Sequence, residues 1–78
     1  MKAKEMFEEL GYEKPFYEKD HTVHYTKLLY VDESGFFPKF NKIIFYKRKK
    51  KVELSGEFNF EELQAINQQV KELKWLDE

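Results

Sequence analysis

The stretch that decides the fold is Phe58-Asn59-Phe60-Glu61-Glu62-Leu63-Gln64-Ala65-Ile66-Asn67-Gln68-Gln69-Val70-Lys71-Glu72-Leu73, which has the pattern of an amphipathic helix. Asn59 is a favourable N-cap, and Glu62 stands where its carboxylate can reach back to the N–H of the capping residue. Apolar residues then recur at helical spacing, namely Leu63, Ile66, Val70 and Leu73. This spacing predicts a helix that buries one stripe against another part of the chain.

Length and composition predict one small folded domain over residues 1–78. Hydrophobic residues make up 41% of the chain and aromatic residues 18%, more than a disordered segment carries. There is no cysteine, which excludes disulfides and thiolate metal sites. We read no signal peptide, and no apolar run approaches the ~20 residues that span a bilayer, so we expect a cytoplasmic protein with no membrane contact.

The remaining segments predict a helix followed by three strands. The first helix is expected over Lys2–Leu10, with Gly11 at the position of a left-handed C-terminal cap. β-Branched and aromatic residues predict strands over Thr22–Val31, Lys39–Tyr46 and Val52–Ser55. Because each helix has one apolar stripe, we expect an α+β fold of order αβββα. In this fold both helices cover one face of a three-stranded antiparallel sheet.

Alternation along the strands divides their side chains between two sheet faces. The set predicted to face the helices is Val23, Tyr25, Leu29, Val31, Ile43, Phe45, Val52 and Leu54. The opposite face then carries a half-apolar set, His24, Leu28, Tyr30, Ile44 and Tyr46. Lys27 interrupts the alternation and indicates a bulge near it. A shift of one residue in register would exchange the two faces.

The half-apolar face predicts the function that we expect first. A chain this short has no further element to cover such a surface, so a partner is needed. We therefore predict a small non-enzymatic protein-interaction module that binds through the uncovered sheet face or an edge strand. Its partner is another protein or a second copy of the chain in a homodimer.

A run of cations supports a different interpretation. Net charge is −1, yet five consecutive cations occupy the predicted turn between the last two strands: Lys47, Arg48, Lys49, Lys50 and Lys51. Such a turn attracts a phosphate backbone, and the adjacent Tyr46 could stack on an unpaired base. The same cations are typical of a solvated turn that discourages aggregation of strand edges. Nucleic-acid binding through Tyr46 and this turn is therefore the alternative function.

Residues suited to catalysis or metal binding are few. His21 and His24 would lie on opposite faces of a strand, and Asp20 is their one neighbouring ligand type, so we predict no metal site. Ser34 and Ser55 have no nearby His–Asp arrangement. The glycines are isolated, so no phosphate-binding loop is present. We therefore predict neither catalytic residues nor a cofactor.

Three segments resemble a known group of proteins. Met6-Phe7-Glu8-Glu9-Leu10-Gly11-Tyr12, Ile43-Ile44-Phe45 and Phe58–Trp75 are similar to short uncharacterised proteins carried by phages and prophages of Gram-positive bacteria. The resemblance covers both ends of the chain and little of the middle. It implies a phage or prophage origin and an accessory role in a host cytoplasm, with no activity to transfer.

The end of the last helix departs from that family. The family tends to finish with Glu-Leu-Gly-Trp, where this chain has Glu72-Leu73-Lys74-Trp75. Lys74 in place of glycine implies either a helix that continues or a strained residue at its end. Trp75 would face water or a partner in the first case, and would fold back over the sheet edge in the second.

Overall fold

The computed structural model describes residues 1–18 and 21–75, which form two helices and one antiparallel sheet. The helices are α1 (Ala3–Glu9) and α2 (Phe60–Glu72). The strands are β1 (Phe16–Glu18), β2 (Thr22–Val31), β3 (Pro38–Tyr46) and β4 (Lys51–Ser55), in the sheet order β1-β2-β3-β4. The predicted α+β class is confirmed. Neither helix in the described ranges is long and apolar enough to cross a bilayer.

The prediction of three strands is wrong, because β1 adds a fourth. β1 pairs antiparallel with the start of β2, placing Phe16 opposite His24 and Glu18 opposite Thr22. All three residues of β1 are exposed, so this strand has no alternation between a buried and a solvent face. A segment of three residues without that alternation carries no strand signal, and its conformation comes from pairing with β2.

The end of α1 confirms the predicted glycine cap. Gly11 has a φ of 93°, which suits a left-handed cap. The N–H of Tyr12 donates to the carbonyl of Phe7 at 3.0 Å, and the N–H of Gly11 donates to Glu8 at the same distance. The Phe7 and Tyr12 rings meet edge to face with centroids 5.2 Å apart. These contacts form a Schellman motif that turns the chain towards the sheet.

Both helices pack on the same face of the sheet, as predicted. The buried side chains of that face are Val23, Tyr25, Ile43 and Phe45. Phe7 of α1 stacks on Tyr25 with ring centroids 4.1 Å apart. The Tyr25 hydroxyl donates a 2.8 Å hydrogen bond to Oε1 of Gln69 on α2. Tyr25 therefore contacts both helices and holds them in one layer over the sheet.

The start of α2 is as predicted, but its buried face is not. Asn59 accepts a hydrogen bond from the N–H of Glu62 at 2.8 Å, and the Glu62 carboxylate accepts from the N–H of Asn59 at 3.1 Å, forming the capping box. The fully buried positions are Glu62, Ala65 and Gln69, whereas Leu63 is 49% exposed. The small side chain of Ala65 permits close approach to the sheet. Ile66, Val70 and Leu73 consequently lie half-buried at the margin of the core.

A buried polar cluster explains this rotation of α2. The Tyr12 hydroxyl donates to Oε2 of Glu62, and Nδ2 of Asn41 lies 2.9 Å from the same oxygen. Asn41 also donates to the carbonyl of Glu57 at 2.6 Å and accepts from its N–H at 2.8 Å. Within the residues that the structure describes, every buried side-chain polar atom has a hydrogen-bond partner. The cluster therefore draws Glu62 inwards without an unpaired group.

The end of α2 shows the second of the two predicted arrangements. The helix ends at Glu72, and Lys74 has the left-handed φ of 61° that a glycine adopts more easily. The N–H of Trp75 donates to the carbonyl of Val70 at 3.3 Å, as in a Schellman motif. The indole lies against Phe45 with ring centroids 6.3 Å apart. Trp75 therefore folds back onto the core.

The end of β2 departs from the predicted alternation. The register with β3 shifts between Leu28 and Tyr30, close to the break predicted near Lys27. Beyond this bulge Leu29 is half-buried and Val31 is exposed, so neither belongs to the fully buried core. Leu54 of β4 is also exposed. Of the predicted inward set, Val23, Tyr25, Ile43 and Phe45 are buried, and Val52 and Leu54 face the helices, whereas Val31 lies beyond the bulge and faces the other way.

Candidate interaction surface

The outer sheet face is the side of the sheet opposite the helices. Residues paired across an antiparallel sheet share a face, so the register assigns its members. These are Phe16, Glu18, Thr22, His24, Thr26, Leu28, Val31, Pro38, Phe40, Lys42, Ile44, Tyr46, Lys51, Glu53 and Ser55. No helix or strand in residues 1–18 and 21–75 packs over this face. Four of the five predicted interaction residues, His24, Leu28, Ile44 and Tyr46, lie on it.

Tyr30 does not lie on this face, contrary to the prediction. The bulge after Leu28 pairs Tyr30 with Lys39. Lys39 stands two residues before the buried Asn41, on the helix side of β3. An inserted residue reverses the facing of every residue after it, because the strand period is two. Tyr30 is therefore an exposed residue on the helix side of the sheet.

The most apolar part of the outer sheet face lies where β2 ends and β3 begins. Leu28 and Phe40 are directly opposite each other and are 51% and 41% exposed. Directly paired side chains on adjacent strands are close enough to make one continuous surface. Water-exposed apolar area of this kind is typical of sites that bind another surface.

The turn that follows β2 presents two further aromatic residues. Phe36 and Phe37 are 79% and 66% exposed, so this connection does not fold back onto the sheet. Oδ1 of Asp32 accepts from the Ser34 hydroxyl at 2.6 Å and from the N–H of Gly35 at 3.1 Å. The hydrogen bond from Ser34 holds the pKa of Asp32 below its usual range, with backbone N–H groups adding to the effect. The turn that carries the two phenylalanines is therefore held by hydrogen bonds to one of its own side chains.

The centre of the outer sheet face is a mixed polar and apolar region. His24 lies opposite Ile44, and both are half-buried. The Phe16 ring from β1 meets the imidazole edge to face with centroids 5.6 Å apart. Nε2 of His24 lies 2.9 Å from the Thr22 hydroxyl and 3.6 Å from a Glu18 oxygen, the latter an ion pair only when the imidazole is protonated. β1 therefore supports one flank of His24.

The basic turn lies at the opposite end of the sheet and consists of Lys47–Lys51. Nζ of Lys51 lies 5.1 Å from the centre of the Tyr46 ring, and Nζ of Lys47 lies 5.9 Å from the Tyr17 ring. The N–H of Lys47 also donates to the carbonyl of His21 at 2.8 Å, which ties this turn to the start of β2. The basic turn is therefore bordered by two tyrosines.

Tyr46 is the aromatic residue that sequence reasoning placed beside the basic turn. Its hydroxyl donates to Oε1 of Glu53 on β4 at 3.3 Å. Partial burial raises the pKa of this phenol, and the neighbouring Glu53 carboxylate raises it further. Tyr46 is therefore a neutral hydrogen-bond donor near neutral pH.

The two histidines have different surroundings. His21 is an exposed turn residue, and His24 contacts Glu18 and Thr22. Asp20 lies outside the described residues. Among residues 1–18 and 21–75, no three His, Asp or Glu side chains converge as a metal site would need.

Phe16 and Phe40 lie on the outer sheet face and Tyr17 borders the basic turn, but none of the three was among the predicted site residues. Phe16 and Tyr17 belong to β1, which carried no strand signal. Phe40 faces outwards because the register places it opposite Leu28. The pair Phe16-Tyr17 after Pro15 is the signal that could have indicated a short edge strand, since aromatic residues favour strands and proline tolerates their edges.

The chain was also compared with protein-family models, with curated proteins and with solved structures, and none of these comparisons finds a match.

Proposed function

We propose that this chain is a small non-enzymatic module that binds a protein partner through its outer sheet face. The observation that carries this proposal is the exposure of Leu28 and Phe40 side by side on a face that no described element covers. Exposed Phe36 and Phe37 lie close to this pair in sequence, on a turn held by Asp32. Aromatic anchors on a rigid support are typical of the central residues of protein interfaces.

Charge on and beside the outer sheet face indicates the chemistry of that partner. On the face itself Lys42 and Lys51 are offset by Glu18 and Glu53, so the excess of positive charge comes from the basic turn at one end. The fitting partner is a protein surface with an apolar centre and acidic side chains towards one edge, since complementary charge selects and orients partners. The resemblance to phage and prophage proteins supports a partner in a host cytoplasm, and both the origin and the cytoplasmic location are part of this proposal.

Matched variants on the two sides of the sheet test the proposal. Leu28→Glu and Phe40→Glu place a charge in the apolar pair, and Leu63→Glu places the same charge at a similarly exposed position on α2. Proteins captured from a Gram-positive lysate would be identified, purified and titrated against each variant. We expect the two outer-face variants to lose at least about tenfold in affinity, and Leu63→Glu to match the parent.

Two results would contradict this function. One is equal binding by all three variants. The other is captured material that disappears on nuclease treatment. Circular dichroism of each variant separates loss of the surface from loss of the fold.

A second candidate function is binding of single-stranded nucleic acid at the basic turn. The observation that favours it is the pair of exposed or half-exposed rings, Tyr17 and Tyr46, that border the turn within cation–π distance of Lys47 and Lys51. Cations beside aromatic faces are the combination that single-strand binders use. The sequence indicated only Tyr46 beside the basic turn. Tyr17 of β1 adds a second ring there, which supports this alternative further.

Salt dependence tests the second function. A labelled oligonucleotide at ~50 mM salt should bind, and its affinity should fall steeply as salt rises because counterions are released. Arg48→Glu with Lys49→Glu should abolish the signal, whereas Lys4→Glu with Lys14→Glu changes the net charge equally at other exposed positions. Equal loss in both double variants, or no binding at low salt, would reject this function.

A further inference from the structure

The structure leaves one edge of the sheet and one side of α2 without a neighbour. β4 is the last strand in the sheet order, and no other strand of residues 1–18 and 21–75 pairs with its free edge. Val52 and Leu54 are paired with Phe45 and Ile43, so they face the helix layer. Val52 is half-buried and Leu54 is 46% exposed, although their partners on β3 are fully buried. The helix layer therefore does not cover β4 completely.

The side of α2 that faces away from α1 carries an open groove whose lining has no charged residue, referred to below as the uncharged side of α2. The α1 side is marked by Glu72, which accepts a hydrogen bond from the N–H of Ala3 at 2.6 Å. An open groove follows the other side and is lined by Phe60, Leu63, Gln64, Ile66, Asn67 and Val70. None of these six side chains is ionisable, although 37% of the chain is charged. Interface cores contain fewer charged residues than the rest of a protein surface.

We propose that a second copy of this chain occupies this margin. The two β4 strands pair antiparallel across a two-fold axis, and the uncharged side of each α2 packs towards that of its partner. In such a two-fold interface the same patch of each copy contacts the other copy. The patch must therefore be complementary to itself. The uncharged side of α2 meets this condition, because it presents no charge to repel its copy.

The charges of β4 determine the register of this pairing. A two-fold axis perpendicular to the sheet keeps both helix layers on one side, and paired residues must share a face. Therefore one residue of β4 pairs directly with its own copy in the other chain, and the two-fold axis passes between these two residues. An axis at Lys51 or at Glu53 would place that residue opposite its own copy, so like charges would face each other. An axis at Val52 instead pairs Lys51 of each copy with Glu53 of the other copy, which gives two ion pairs. An axis at Leu54 would place Glu53 opposite serine and form no ion pair.

This dimer uses only the β4 margin of the outer sheet face, where Lys51 and Glu53 lie, and leaves the apolar pair Leu28 and Phe40 uncovered in each copy. The two four-stranded sheets join into one, and both outer faces lie on the same side. The inference is therefore separate from the proposed partner binding, which is centred on Leu28 and Phe40. It predicts that Leu63 and Leu54 become protected from water in the assembled protein.

Sedimentation equilibrium on charge variants tests the proposal. Lys51→Glu alone and Glu53→Lys alone each create like-charge pairs, so each should weaken the dimer about tenfold. The double variant Lys51→Glu with Glu53→Lys restores opposite charges at both pairs, so its dimer should return towards the parent affinity. Leu63→Glu should abolish the dimer, and Leu28→Glu on the outer sheet face should leave it unchanged.

Three results would overturn the proposal. The first is a parent protein that stays monomeric up to about 1 mM, a limit that corresponds to negligible association. The second is a dimer that the double charge exchange fails to restore. The third is a dimer that Leu28→Glu abolishes and Leu63→Glu does not. Circular dichroism and thermal denaturation of each variant show whether the monomer is still folded, so a failure of folding is not counted as a failure of dimerisation.

Discussion

Gly56 packs directly against Asn41: a β-carbon at position 56 would lie 2.0 Å from Oδ1 and 3.0 Å from Cα of that asparagine. Gly56 also has a φ of 130°, a conformation that other residues rarely adopt. Gly56→Ala should therefore displace Asn41 from its two hydrogen bonds to Glu57 and lower the free energy of unfolding by at least about 2 kcal/mol. Urea denaturation measures this change.

Gly35→Ala is the matched control for that substitution. Gly35 also has a positive φ, of 78°, but an added β-carbon meets nothing within 4 Å. The Gly35→Ala substitution should therefore lower the free energy of unfolding by roughly 1 kcal/mol, from backbone strain alone. Equal losses at the two positions would show that the contact with Asn41 is unimportant.

Acid should destabilise the protein through Glu62. Burial raises the pKa of this carboxyl, but hydrogen bonds from Tyr12, from the N–H of Asn59 and from Asn41 outweigh burial and hold it below its usual 4.5. A carboxyl with a lower pKa in the folded state stabilises the fold above 4.5, and that contribution is lost as pH falls through the folded value. Thermal denaturation from about pH 7 to about pH 2.5 should show the loss.

Glu62→Gln should make that acid dependence shallower, since the ionising group is removed. Glu61→Gln is the control, because Glu61 is the exposed neighbour on the same turn of α2. If both variants lose stability in acid as steeply as the parent, then Glu62 is not the group responsible.

Alkali should destabilise the protein through Tyr12 and Tyr25. Burial raises the pKa of both phenols above their usual 10.0. The neutral form is therefore favoured in the folded state. The contribution of these two phenols to the free energy of unfolding is fully present below pH 10.0 and falls as pH rises above it. Tyr25→Phe should reduce the loss between about pH 8 and about pH 11, measured by urea denaturation. The exposed Tyr30→Phe should not change it.

The end of α2 offers a stabilising substitution. Lys74 occupies the left-handed position of a Schellman motif with a φ of 61°. Lys74→Gly should raise the free energy of unfolding by roughly 1 kcal/mol, because glycine adopts this conformation without strain. The melting temperature should rise accordingly. Lys71→Gly, within the helix, should instead lower stability by about 1 kcal/mol, and a loss in both variants would contradict the strain at Lys74.

Much of the candidate surface follows from the sequence, but its edges do not. His24, Leu28, Ile44 and Tyr46 lie on the outer sheet face because the alternation of β2 and β3 is regular near their centres. Tyr30 was assigned to the wrong face, since a single bulged residue reverses the pattern beyond it. Phe16 joined the surface through β1, whose three exposed residues have no periodic signal.

The sequence by itself determined the local structure: the capping box at Asn59, the glycine cap of α1, the alternation of the central strands and, through these elements, the α+β class. These features depend on neighbours two to four positions apart, whose spacing is visible in the chain. Tertiary structure alone decided which side of α2 is buried, because Glu62 is drawn inwards by Tyr12 and Asn41 from other elements. Hydrogen bonds between residues so far apart in the chain leave no periodic trace, so the stripe that began at Leu63 was turned away from the centre of the core.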